Sequence, residues 1–67
     1  MKPTIYRYTN QLGRLKELWV DNEPDENEKF ACILWDIRTG ECCGTGNMKI
    51  IEIKEMLSHM KNVEKEG

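Results

Sequence analysis

Four side chains in this 67-residue sequence could act as soft metal ligands or nucleophiles: Cys32, Cys42, Cys43 and His59. Structural zinc sites draw thiolates from pairs spaced two to four residues apart, so that both can turn toward one ion. Cys42 and Cys43 are adjacent, and neighbours in an extended segment point to opposite faces. No metal and no cofactor is therefore expected. A Cys32–Cys43 disulfide would join diagonal neighbours on one face of a hairpin, but an odd cysteine count with an adjacent pair suits a disulfide framework poorly. All three are read as small buried hydrophobes. Cysteine catalysis needs a histidine and a third group to orient it. His59 has only Glu55, four residues earlier, which is the spacing of an ordinary exposed helix pair. No catalytic residue is assigned, and the expectation is a protein that is not an enzyme.

Two other segments invite a chemical reading. Gly40-Glu41-Cys42-Cys43-Gly44-Thr45-Gly46-Asn47 ends at an expected helix start, where an anion could sit. It matches neither the Walker nor the dinucleotide pattern, and a parallel βαβ unit does not fit this chain. The glycines are read as a tight strand-to-helix corner. Near the start, Tyr6, Arg7, Tyr8, Arg14 and Lys16 interleave aromatic and basic residues, a pattern that can stack on bases and contact phosphate. Against it stand the overall charge of −2, the pI near 5.3 and the acidic segment Asp21, Glu23, Asp25, Glu26 and Glu28. Nucleic-acid binding through the first hairpin is the alternative reading. Its layout resembles, by fold-level analogy and with no shared motif, the small sheet-plus-helix DNA-binding domains of some phage and transposon integrases.

The elements that must position these residues follow from local patterning. Thr4–Thr9 is β-branched and aromatic, which suits a strand. Asn10 and Gly13 mark a turn, and Arg14–Val20 reads as a second strand. Residues 21–28 contain Pro24 and no large apolar side chain, so they form a solvated loop. A third strand runs from about Lys29 to Asp36. Asp36 to Glu41 then reads as a loop on a type I turn, with Gly40 in the left-handed position. This register sets Trp35 against Cys42, Leu34 against Cys43 and Cys32 against Thr45, and it places two like charges, Asp36 and Glu41, opposite each other. A short fourth strand spans Glu41 to Thr45. Asn47 is read as the N-cap of a helix with Ile50, Ile53, Leu57 and Met60 on its core stripe; Ile51 falls off that stripe. The helix should fray near Asn62.

The expected fold is α+β, a small antiparallel meander of three to four strands with one C-terminal helix packed on one face. It forms a single domain over residues 1–63, followed by a mobile tail, 64–67. The opening residues hold no apolar run of signal-peptide length, and no stretch approaches the roughly 18 residues that span a bilayer. The composition, 39% hydrophobic and 33% charged, is that of a globular chain, and the expected location is cytoplasmic.

Within this frame Phe30-Ala31-Cys32-Ile33-Leu34-Trp35 stands out as six consecutive apolar positions. A strand with one wet face alternates; this one does not, so both faces seek cover. The helix supplies one layer, and the other face is an interface candidate. The residues expected there are Phe30, Cys32, Leu34, Trp35 and Trp19, with Asp21, Glu23, Asp25, Glu26 and Glu28 as an acidic rim. The functional expectation is a small interaction module that binds another protein or a second copy of itself. Its character is that of regulators or inhibitors such as those encoded by phages and mobile elements.

Overall fold

A computed structural model describes residues 2–66. Five strands and one helix follow in the order β1 (Thr4–Thr9), β2 (Leu15–Val20), β3 (Lys29–Asp36), β4 (Cys42–Lys49), α1 (Ile50–Ser58) and β5 (Lys61–Glu66). They build one antiparallel sheet with the spatial order β4-β3-β2-β1-β5. The α+β class is as expected. The sheet has five strands rather than three or four.

The two tight turns form as their residues dictate. Asn10 Oδ1 accepts the amides of Leu12 and Arg14, both at 2.9 Å, and Gly13 takes φ +77°. Asp36 Oδ1 likewise accepts the amides of Arg38 and Thr39, while Gly40, at φ +73°, donates to the Asp36 carbonyl at 2.8 Å. Such side-chain-to-backbone bonds are why Asn and Asp initiate turns. The Asp36 amide donates to the Glu41 carbonyl at 2.9 Å, as the expected register requires. The facing carboxylates cost little, because Asp36 Oδ2 also receives Lys16 Nζ from β2 at 3.0 Å.

Beyond that turn the register departs from expectation. Trp35 faces Cys42, but a bulge then sets Leu34 against Gly44, Ile33 against Thr45 and Cys32 against Gly46. The bulge absorbs Cys43, so Leu34 does not pair with it and Cys32 does not pair with Thr45. The fourth strand is also longer than read, continuing through Asn47 and Met48 to Lys49 because Met48 still pairs with Phe30. Asn47 is therefore a strand residue. Lys49 precedes the helix, and its amide is accepted by the Glu52 carboxylate at 2.8 Å, one half of a capping box.

The helix is shorter than the apolar repeat suggested and stops at Ser58. The amides of His59 and Met60 bond back to Met56 and Leu57, and Asn62 then takes φ +55°. Asn tolerates this left-handed conformation better than most residues. The turn at His59 and Met60 delivers Lys61–Glu66 alongside β1, and Asn62 sits at the bulge between the Arg7 and Thr9 pairings. Glu64, Lys65 and Glu66, read from sequence as part of a tail, belong to β5; Gly67 lies outside the described residues.

The core lies between the helix and one sheet face. Tyr8, Leu18, Val20, Cys32 and Ile53 are buried, and Tyr6, Phe30, Leu34, Met48, Met56, Leu57 and Met60 pack around them. Ile53 is the centre and is wholly enclosed. Ile51 is 68% exposed, in keeping with its position off the stripe.

Candidate protein interface

Strand pairing fixes which side chains share the sheet face away from the helix. Trp19 on β2 is flanked by Ile5 on β1 and Ile33 on β3, and Trp35 faces Glu17, which in turn faces Arg7. Ala31 and Thr45 complete this side toward β4. The helix and every core residue lie on the opposite side, so this apolar stripe has no second layer among the described residues. Ala31 is exposed, and Ile5, Trp19, Ile33 and Trp35 are half-buried by one another and by the sheet itself.

The two indoles are held rather than loose. Their ring centroids lie 5.6 Å apart with the planes tilted by 54°, within the favourable range for aromatic pairs. Trp19 Nε1 donates to Glu17 Oε1 at 3.0 Å, and Arg7 donates through Nε and a terminal nitrogen to Glu17 Oε2 at 3.0 and 2.6 Å. The Trp19 hydrogen bond and then the Arg7 guanidinium hold the Glu17 carboxyl below the ordinary carboxylate range. Glu17 thus ties a charged residue to an aromatic anchor and orients the Trp19 ring. The indole N–H of Trp35 is enclosed and has no acceptor among the described residues. Shallow hollows border Trp19 on three sides, formed with Trp35 and Gly40, with Ala31 and Asp21, and with Pro3 and Glu66.

This geometry divides the residues that the sequence grouped together. Phe30, Cys32 and Leu34 share the helix-covered face and pack in or around the core, so they do not join Trp19 and Trp35. The reason is parity: alternate residues of β3 point to opposite sides. Ile33 and Ala31 take their places. Both stand at odd positions beside Trp35, on the one of the two β3 faces that the helix leaves open. Of the acidic rim, Asp21 borders the apolar stripe, whereas Glu28 lines a separate hollow with Phe30 and Ile50. Asp25 is used within the loop, its Oδ1 accepting the amides of Asn27 and Lys29. Glu23 and Glu26 are exposed in the same loop.

The basic and aromatic residues of the first hairpin do not form one surface. Tyr8 is buried and Tyr6 packs against the core, both on the helix side. Arg7 points to the open face and is paired with Glu17; Lys16 is paired with Asp36 on the helix side. Arg14 is exposed beside the turn. Alternation along β1 separates the very residues whose adjacency suggested base stacking.

The cysteines also separate. Cys32 is buried as expected, but Cys42 and Cys43 are exposed because β4 is an edge strand of the sheet; all three are free thiols. Lys16 Nζ lies 3.4 Å from Cys43 Sγ. Burial pushes the Cys32 thiol up, which slows its reaction further. Titration with a thiol reagent under native conditions should give two fast-reacting groups and one that reacts only on unfolding. Three fast thiols would show that β3 is not covered as described.

The Lys16–Asp36 pair makes a second expectation. Its hydrogen bond, followed by those from the Thr39 and Arg38 amides, holds the Asp36 carboxyl below its usual range. The folded state therefore favours ionised Asp36. That contribution is complete above the ordinary carboxylate pKa and is lost as pH falls through the lowered value. Acid unfolding followed by circular dichroism should show a shallower acid limb in Asp36→Asn, which keeps the oxygen that closes the turn. An unchanged limb would mean that Lys16 does not hold the carboxylate.

No group of three or more His, Cys, Asp or Glu side chains able to hold a metal occurs among the described residues, and no described helix is long and apolar enough to cross a membrane. Compared with known proteins, the chain has no significant match to a family model, a curated protein or a solved structure.

Proposed function

We propose that this chain is a small non-enzymatic interaction module that docks a protein partner on its open sheet face, with Trp19 as the anchor and Trp35, Ile33, Ala31 and Ile5 around it. The observation that carries the reading is an apolar, tryptophan-centred face with no second layer. Tryptophan is the residue most enriched among interface positions that dominate binding. Here the Glu17–Arg7 pair already orients its ring, which lowers the entropy lost on docking. Arg7, Glu17 and Asp21 give the stripe a polar border that can select among partners.

The surface area supports the same conclusion. The chain exposes 5090 Å², whereas a compact monomer of 7.9 kDa is expected to expose about 4400 Å². The excess fits a sheet with one face left without a second layer among the described residues.

The test is capture of a partner from extract of the source cell by immobilised protein, compared with Ile33→Lys. Ile33 lies on the open face and outside the buried core, so the variant should fold. A partner bound by the wild type and lost from folded Ile33→Lys supports the reading; equal capture by both overturns it.

A further inference from the structure

The two edges of the sheet are built differently. β5 carries four charges in six residues, Lys61, Glu64, Lys65 and Glu66, and charged side chains are a usual guard against strand addition. β4 runs uncharged from Cys42 to Met48, with no proline, and all of its residues except Met48 are exposed. Alternate residues of an edge strand direct both N–H and C=O away from the sheet, so β4 presents a row of free backbone groups.

Its glycines sharpen the contrast. Gly44 and Gly46 face the helix side of the sheet, opposite Leu34 and Cys32. Neither has a positive φ, and a Cβ at either would meet nothing within 4 Å. Unlike Gly13 and Gly40, they meet no requirement of this chain's own backbone or packing. Glycine inside a strand weakens it and often marks a place where another backbone comes close.

From these features we infer that β4 is a strand-addition edge whose occupant is β4 of a second copy, paired antiparallel about a two-fold axis at Thr45. Gly44 and Gly46, one on either side of Thr45 with no bulge between them, set that register. The charges at the two ends of the strand, where the Cys43 bulge keeps them from facing residue to residue, select that occupant. Glu41 and Lys49 stand four residues to either side of Thr45 and have opposite signs. Antiparallel pairing about Thr45 brings each Glu41 to the end of the strand where the partner subunit's Lys49 lies, and sets Gly44 against the partner subunit's Gly46. The result is a continuous ten-stranded sheet with both helices on one side and both open faces on the other. A two-fold interface of this kind is closed, so it stops at the dimer. It uses a different surface from the one around Trp19.

Sedimentation equilibrium of the full chain under reducing conditions tests this. The wild type should show a concentration-dependent dimer. Gly44→Lys combined with Gly46→Lys adds positive charges on the helix side, leaves the open face untouched and should weaken the dimer at least tenfold, with circular dichroism confirming the fold. Glu41→Lys and Lys49→Glu should each weaken it, and the two together should restore it. A wild type that stays monomeric at every concentration overturns the inference. So does a dimer that survives the glycine substitutions but is abolished by Ile33→Lys, which would place self-association on the open face. Failure of both charge rescue and lysine disruption excludes β4 as the contact.

Discussion

Ile53→Ala should unfold most of the protein at room temperature. Ile53 is wholly enclosed and is the only helix residue in the buried set. Truncating a buried isoleucine to alanine costs about 2–5 kcal/mol. A core of this size supplies only about 3–5 kcal/mol in total. The helix has a single layer to grip, so losing that contact releases α1 and uncovers Tyr8, Leu18 and Val20 together. Ile53→Val, which removes one methylene, should cost about 0.5–1.5 kcal/mol and remain folded. Urea titrations followed by far-ultraviolet circular dichroism distinguish the two. An Ile53→Ala protein with wild-type midpoint would mean that the helix is not what stabilises the sheet.

Trp19→Ser should do the reverse, leaving the fold and abolishing partner binding. Trp19 lies on the face away from the helix and takes no part in the buried core. Its removal forfeits the paired ring of Trp35, worth about 0.5–1.5 kcal/mol beyond area burial, so stability should fall modestly. An anchoring tryptophan at an interface is worth about 2 kcal/mol or more, close to 30-fold in affinity. Calorimetric titration of the captured partner into wild type and variant measures that ratio directly. Glu17→Ala should show a smaller loss, since it frees the indole without removing it. Unchanged affinity in Trp19→Ser would move the interface elsewhere.

Much of the fold was legible because local chemistry decides it. Asn10 with Gly13 and Asp36 with Gly40 each combine a side-chain acceptor with a residue free to take positive φ, and both turns closed as their residues indicate. The uninterrupted apolar run of β3 reads as a strand apolar on both sides, and the side opposite the helix is apolar with no second layer among the described residues. What local chemistry could not show was which face the helix would take. That is decided by the whole sheet: Tyr8, Leu18 and Val20 join Cys32 on one side, and their sum outweighs anything β3 offers alone. Position parity on β1 likewise separates Arg7 from Tyr6 and Tyr8, a division visible only once the strand is accepted as flat and two-sided.

The C-terminal segment departs from its local preference for a different reason. Lys61-Asn62-Val63-Glu64-Lys65-Glu66 has weak strand character and good helix formers, so intrinsic preference favours continuing α1 or fraying. Tertiary context overrides it. β1 has an edge free for β5, the turn at His59 and Met60 reverses the chain toward it, and Asn62 accommodates the bulge within the new pairing. Cys42 and Cys43 depart from expectation similarly: burial statistics for cysteine say nothing about a strand that happens to be outermost.

The pairing of β5 with β1 also sets the order in which the sheet can assemble. β1–β2, β2–β3 and β3–β4 are successive hairpins, each closing a short stretch of chain. β5 joins the opposite edge, and its Glu66 meets Ile5 across almost the entire sequence. Closing so long a loop is entropically the most expensive contact in the fold and gives it a non-local component that slows the search. The meander should therefore zip first and carry an open flank at β1 until α1 docks and swings β5 into place. In kinetic terms the molecule has a latch, and the rate at which it shuts limits how long the unfinished sheet is exposed to its neighbours.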